Sequence, residues 1–357
     1  MKKIDYYIIK KFLGTFFFAL ALIIVVSVVF DFSEKVDDFI EKNAPINAIL
    51  FDYYLNFIPY FSNLYTHLFV FIAVIYFTSK MATHSEVIAI LSCGVSYRRL
   101  MRPYFVAASV IAIFTFALGN YVIPYANVNR LKFEEKYFNR QYRNTERNIH
   151  KQLASNVFVY LETYNTRSDR GSRFSLEKIE DGQLVSKMMA DYIRWDTAKQ
   201  KWTAHNYWIR EVDGIKETIS EGVDIDTTLN LFPEEFKRTH NIVESMPTPV
   251  LKKFINQEKS RGQESTNYYI ELYRRSASPF SVFIMTIIGM ALSTRKMRGG
   301  MGMHIGFGIA LSFSYILFMQ ISKEFSISGS LQPMLGVWIP NIIYTIIAFF
   351  LYRMAPK

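Results

Sequence analysis

"SKMATHSEVIAILSCGVSYRRLMRP", residues 79–103, joins two apolar runs, "LYTHLFVFIAVIYF" (64–77) and "YFVAASVIAIFTFALGNYVIP" (104–124). Both runs belong to segments that meet the length, about 20 residues, a helix needs to cross hydrocarbon. The stretch between them is too polar for hydrocarbon and too apolar on one face for a plain loop. Val87, Ile88, Ile90, Leu91 and Val95 fall at near-helical spacing. Glu86 is its only acid, among Lys80, Arg98, Arg99 and Arg102. The pattern predicts an amphipathic helix over about residues 80–98, held between two membrane spans.

Working outward, apolar runs cover Phe12–Phe30, Phe51–Thr78, Tyr104–Ile123, Pro279–Leu292, Met303–Ile321 and Met334–Leu351. The fourth is short unless it extends back to Tyr268, across Arg274 and Arg275. Six transmembrane α-helices follow, three on each side of a long polar segment. Composition agrees: of 357 residues 50% are hydrophobic, with 31 Phe and 23 Tyr, yet 20% are charged. The basic start and first apolar run mimic a secretory leader. Their length and the lack of a small-residue cleavage site predict an uncleaved span. Cys93 is the only cysteine, so no disulfide forms within one chain.

Charge sets the orientation. With both termini cytoplasmic, Lys2, Lys3, Lys10, Lys11, Lys80, Arg98, Arg99, Arg102, Arg295, Lys296, Arg298, Arg353 and Lys357 lie inside, opposed only by Asp5 and Glu86. The loop "DFSEKVDDFIEKN" (31–43) is acidic and lies outside. This is the positive-inside pattern. The net charge of +10 therefore reports membrane orientation rather than nucleic-acid binding.

Three parts follow: residues 1–124 with spans one to three, 125–267 outside the membrane, and 268–357 with spans four to six. In the middle part, "ANVNRLKFEEKYFNRQYRN" (126–144) continues the third span as a helix. "NVFVYLETYN", "RFSLEKIEDGQLVSKMMADYIRWD" and "KWTAHNYWIREVDGIKETI" alternate with period two and are divided by polar turns, which predicts a compact all-β domain. "MPTPVLKKFINQEKSRG" (246–262) reads as a short returning helix.

No phosphate loop, nucleophile elbow or HExxH pair occurs. The six histidines are scattered, and each reads as a packing or solvated residue. Nothing in the chain points to enzymatic activity or to a cofactor of its own.

The order of spans, the stretch "SEVIAILSCGVSYRRLMRP", "MPTPVLKKFINQ" before "YYIELYRRSASPFSVFIMTIIGMALS", and "SGSLQPMLGVWIPNIIY" together resemble the LptF/LptG family of lipopolysaccharide export permeases. "SPF" (278–280) and "PMLGVWIPN" (333–341) are closer to its LptG branch. The resemblance implies a permease of an inner-membrane ABC transporter, with a β-jellyroll domain in the periplasm. It implies a dimer of a cytoplasmic LptB-like ATPase that binds ATP and Mg, a second LptF-like permease, and a periplasmic LptC/LptA-like bridge. Lipopolysaccharide is the implied cargo. Two other readings stand beside this one: a permease of another lipid or lipoprotein exporter, and a membrane scaffold or sensor without transport.

Site residues follow from both sources. Glu86, Ser85, Val87, Ile90 and Leu91 form the expected ATPase-coupling surface. The carboxylate sits near a helix N-terminus and is placed for a charge-assisted pair with a partner Arg. Glu86 and Ser85 also read as plain capping residues. Arg130, Lys132, Arg274 and Arg275, cations at the outer ends of spans three and four, are candidates for the phosphates of a lipid headgroup. Pairing with Glu271 or Glu134 is the other reading. Where the family can carry a basic residue at the exit of the first span, this chain departs from the pattern with Asp31, and Lys35, about one turn later, is the candidate substitute. Gly302 and Gly306 give a GxxxG spacing suited to close helix contact. The resemblance assigns that contact to a lateral gate, and packing within one chain is the alternative. Phe158, Tyr160, Ile193, Trp195, Trp202 and Trp208 line either an acyl-chain groove or the β core.

Overall fold

A computed structural model describes residues 2–138, 147–154, 156–229, 231–236, 243–260, 265–294 and 300–355. Arg295, Lys296, Arg298, Lys357 and His240 lie outside the described residues. The chain forms two units, residues 1–133, 244–251 and 266–357, and residues 134–243 and 252–265.

The first unit is helical. Helix α1 runs Lys3–Glu41, and a π-helical turn, Ala48–Tyr54, leads into α2, Leu55–Thr83. A short α3, Glu86–Ser92, precedes α4, Tyr97–Ala117. A second π turn, Leu118–Val122, carries α4 into α5, Ile123–Tyr137. The third apolar run thus does continue as a helix, to Tyr137. After the β strands come α6 (Pro233–Phe236), α7 (Thr248–Ser260), α8 (Thr266–Ser293), α9 (Gly300–Ile327) and α10 (Pro333–Met354). Because α8 begins at Thr266, the fourth apolar run does extend across Arg274 and Arg275.

Among the described residues, five helical stretches are long and apolar enough to cross a membrane: Lys3–Glu41, Ala48–Thr83, Tyr97–Tyr137, Thr266–Ser293 and Pro333–Met354. Helix α9, with 28 residues, is the sixth long helix. Only 17% of the most apolar window of α1 is buried. Phe18, Leu22, Val25, Val29 and Phe30 all project outward from it. A surface of that size and apolarity is stable in hydrocarbon and unstable in water. The protein is a multi-pass membrane protein with an inserted β domain.

The helical core follows the 3.6-residue period. Ile8, Phe12 and Phe16 on α1 meet Val70, Phe71 and Val74 on α2, Ala107, Ala108 and Ile111 on α4, and Val282, Met285 and Ile288 on α8. The rings of Phe12, Phe77 and Tyr104 stack at centroid distances of 5.8 and 5.2 Å. Several polar side chains inside this bundle pair across helices, as the lack of water in hydrocarbon favours. Tyr104 shares a 2.9 Å hydrogen bond with Thr78. Asn341 on α10 donates to the Ala277 carbonyl of α8 (3.1 Å) and accepts from Tyr315 of α9 (2.8 Å).

The second unit holds a six-stranded antiparallel sheet in sequential order: β1 (Arg147–Ala154), β2 (Val157–Asn165), β3 (Arg170–Glu180), β4 (Gln183–Asp196), β5 (Lys201–Asp213) and β6 (Lys216–Thr227). Among the described residues each strand pairs only with its neighbours in sequence, so β1 and β6 are edges. The described strands follow one another as a sequential meander. The cause is local: short turns join every pair, and at the β3–β4 turn Asp181 (φ 49°) and Gly182 (φ 79°) both supply the positive φ of a two-residue hairpin. Alternate residues fill one core: Val159 and Leu161, Met188 and Ala190, Trp202 and Ala204, with Phe174 and Ile193. Trp202 donates its indole N–H to the Leu231 carbonyl at 2.8 Å.

Candidate functional site

The opening stretch does contain a helix, but a shorter one than residues 80–98. Helix α2 continues to Thr83, and Ser85, at φ 61°, turns the chain sharply into α3. Ser85 caps nothing with its hydroxyl, which corrects its reading as a capping residue: the left-handed backbone needed at the corner aims the side chain elsewhere. Gly94, at φ 79°, stops α3 after two turns. Val95 therefore lies beyond the helix. Ser96 then starts α4 by accepting the Arg99 backbone N–H at 3.3 Å.

The apolar stripe faces inward. Val87 is 1% exposed, and Ile90 and Leu91 pack against the helical core. The three anchors expected to meet a partner instead seat α3 on its own bundle. Two turns of helix cannot hold a fixed angle without such burial. The open face carries Ile88, 52% exposed, with Ala89, Ser92 and Cys93. Glu86 sits half-buried at the edge of that face.

The two acids that oppose the cations at this end each bind another helix. Glu86 accepts a hydrogen bond of 3.4 Å from the Tyr7 hydroxyl of α1. Asp5, also on α1, takes both arms of Arg99 at 2.8 and 2.7 Å and accepts the Lys2 backbone N–H at 2.8 Å. Of these residues the sequence assigns Glu86 to the site, and Asp5, Tyr7 and Arg99 join it only through packing. The signal available was that Asp5 and Glu86 stand alone among cations.

The candidate headgroup cations are not one free cluster. Arg275 is buried, donating to Glu271 (3.0 Å), the Met246 carbonyl (2.8 Å) and Thr248 (3.2 Å). Thr248 in turn donates to Asn120 at 2.7 Å. Arg274 pairs with Glu271 at 2.8 Å and reaches Glu244 at 3.5 Å, with its side chain 34% exposed. Burial pushes the Glu244 carboxyl up, and the Arg274 guanidinium opposes that rise. Arg130 is buried with its guanidinium 5.1 Å from the Tyr60 ring. Lys132 is exposed. Lys35 is bonded to Asp31 and to the Tyr53 hydroxyl. Tyr54 donates to the same carboxylate at 3.2 Å.

Gly302 and Gly306 are exposed, and a Cβ added at either meets nothing within 4 Å. Packing within this chain therefore does not account for the GxxxG spacing among the described residues. Gly308, two positions on, is the glycine that admits Ile75 and Phe71 of α2. In the sheet, Ile193 and Trp202 are fully buried, Tyr160, Trp195 and Trp208 half-buried, and Phe158 exposed. No group of three or more metal-ligating side chains occurs among the described residues.

Comparison with known proteins bears on this arrangement. The family model "Lipopolysaccharide export system permease LptF/LptG" matches residues 6–354. The lipopolysaccharide export system permease protein LptG of Escherichia coli strain K12 is 19% identical over 274 residues, covering 76% of each chain. The protein of the same description from Escherichia coli O6:H1 (strain CFT073) matches at the same identity and coverage. The family match takes in every long helix, the short α3 and the whole sheet, so this chain belongs to the LptF/LptG family of lipopolysaccharide export permeases.

Proposed function

We propose that this chain is one permease of an ATP-driven lipopolysaccharide exporter in the bacterial inner membrane. The observation that carries the reading is α3: a two-turn helix anchored by Val87 and linked through Glu86 to α1, with an open face between two spans. A separate cytoplasmic ATPase docks on Ile88, Ala89, Ser92 and Cys93, with an Arg of that partner reaching Glu86. Its stroke enters at α3 and reaches α1 through Tyr7–Glu86 and Asp5–Arg99. ATP and Mg are bound by the partner.

Six spans are arranged three and three, both termini are cytoplasmic, and the β domain is periplasmic. The positive-inside pattern supports this orientation. A second, LptF-like permease packs against the outer faces of α1 and α9. Open Gly302 and Gly306, and the outward apolar residues of both helices, support a lateral gate there. Lipopolysaccharide enters through it, meets Lys132 and the open edge of Arg274 with its phosphates, and moves into the sheet domain. The edge strands suit a hand-off to a periplasmic bridge, because their backbone groups can pair with another sheet.

The test is co-purification of the permease pair with a soluble ATPase, followed by lipid-stimulated ATP hydrolysis. Glu86→Lys abolishes the coupled activity while the pair still assembles. Normal stimulation of that variant removes the coupling role. Lack of any soluble ATPase partner favours a scaffold.

A further inference from the structure

A groove of about 690 Å³ opens where the start of α4 meets the middle of α8 and the end of α10. Its apolar wall is made by Phe105, Ile284, Ile287 and Phe349, and its mouth holds Arg98 and Arg102. The two arginines are four apart on α4 and share one face. Phe105 lies about 10 Å deeper along the same helix, at 1.5 Å rise per residue. The groove thus runs from two charges into hydrocarbon-like surface, which is the polarity axis of a phospholipid.

The charges are uncompensated. Arg99, between them in sequence, is taken by Asp5. Arg98 and Arg102 are exposed and have no ion-pair partner among the described residues. A volume of 690 Å³ falls within the range of about 300–1,000 Å³ typical of small-ligand sites.

We propose that this groove is a resident site for an anionic glycerophospholipid. Its phosphate pairs with Arg98 and Arg102, and an acyl chain lies against Phe105, Ile287 and Phe349. Guanidinium groups pair phosphate oxygens in a two-pronged fashion, and two of them disfavour the cationic head of a zwitterionic lipid. Basic pockets between membrane helices bind acidic lipid headgroups for this reason. The site differs in place and chemistry from the outer cations around Arg274, so it stands whether or not those bind cargo.

The test uses the full-length protein reconstituted in nanodiscs of phosphatidylcholine doped with phosphatidylglycerol. Native mass spectrometry then reads the retained lipid. Wild-type protein is expected to keep phosphatidylglycerol in preference to phosphatidylcholine. Retention falls by about tenfold or more in R98Q/R102Q, which loses two charge-assisted contacts. Lys10→Gln, which removes an exposed cation elsewhere, leaves retention unchanged. Val106→Trp fills the groove from an exposed position and lowers retention without altering charge. Thermal melting of each variant separates lipid loss from unfolding. Equal retention in wild type and R98Q/R102Q overturns the site. Equal loss in Lys10→Gln also overturns it, since only diffuse attraction to acidic lipid then remains. Displacement of the retained lipid by added lipopolysaccharide overturns the choice of occupant.

Discussion

Asp5 and Arg99 lie 94 positions apart and close a two-pronged ion pair at 2.8 and 2.7 Å. The pair fastens the first turn of α1 to the first turn of α4, next to the short α3. It is well placed to pass motion from α3 to α1, and this gives the first prediction. Asp5→Asn uncouples ATP hydrolysis from lipid movement while leaving ATPase docking intact. Its effect on stability is small, because Arg99 is 30% exposed and solvent screens the pair. The charge-swapped pair D5R/R99D recovers part of the coupling. A double-mutant cycle on lipid-stimulated ATPase measures it.

The two faces of α3 separate in the same way. Val87→Ala removes a buried side chain and costs about 1–3 kcal/mol in thermal or denaturant unfolding. Ile88→Glu leaves the melting temperature unchanged and abolishes ATPase binding, because Ile88 is 52% exposed. Pull-down with the ATPase alongside melting curves distinguishes docking from folding.

On α8, Arg275→Gln breaks bonds to Glu271, the Met246 carbonyl and Thr248. Removing one partner of a buried pair costs about 3–5 kcal/mol, so the variant loses stability before function can be judged. Lys132→Gln keeps its stability and weakens crosslinking to lipopolysaccharide, since Lys132 is exposed. Melting curves and crosslink yields, compared side by side, check both.

Glycines divide by what surrounds them. An added Cβ at Gly336 meets the Ser326 hydroxyl and, at 3.0 Å, the Ser322 carbonyl. Gly336→Ala therefore destabilises the isolated chain by about 1–3 kcal/mol. Gly302→Leu leaves the isolated chain intact and disturbs assembly with the second permease or substrate entry. Size-exclusion of the single chain and of the pair reads the two effects.

The sheet carries a pH dependence. Hydrogen bonding from Lys187, 2.7 Å away, holds the Glu177 carboxyl below its ordinary value of 4.5. A folded-state value below the unfolded one gives stability that is present above the unfolded value. It is lost as pH falls through the folded value. Unfolding of the β domain, followed by tryptophan fluorescence, is expected to become easier below about pH 4.5, and Lys187→Met flattens that slope. The effect is below about 1 kcal/mol, since both side chains are roughly a third exposed.

Much of this architecture is written in local pattern. The apolar runs placed every long helix, because hydrocarbon length is a property of consecutive residues. Period-two alternation in "NVFVYLETYN" marks β2, and "EDGQ" marks the hairpin turn between β3 and β4. Strand order was less legible. The alternation and turns are compatible with a Greek key or a meander, and pairing across the sheet decides between them. The apolar spacing alone carries α3 on to Val95, whereas Gly94, at φ 79°, sets the stop. The inward turn of Val87, Ile90 and Leu91 was hidden for a different reason. An amphipathic stripe has the same spacing whether its own chain or a partner covers it. The Asp5–Arg99 and Tyr7–Glu86 contacts, 94 and 79 positions apart, depend on packing that no local pattern encodes.

The central claim is that force entering at α3 drives lipopolysaccharide into the β domain. The direct measurement places a photo-crosslinking residue at Trp195, half-buried beside the core residue Trp202. The complex is reconstituted in vesicles containing lipopolysaccharide and phospholipid, and adducts are followed over time with and without ATP. The account predicts lipopolysaccharide adducts that accumulate only with ATP and vanish in Glu86→Lys. Adducts that form equally without ATP, or that contain only another lipid, would contradict it.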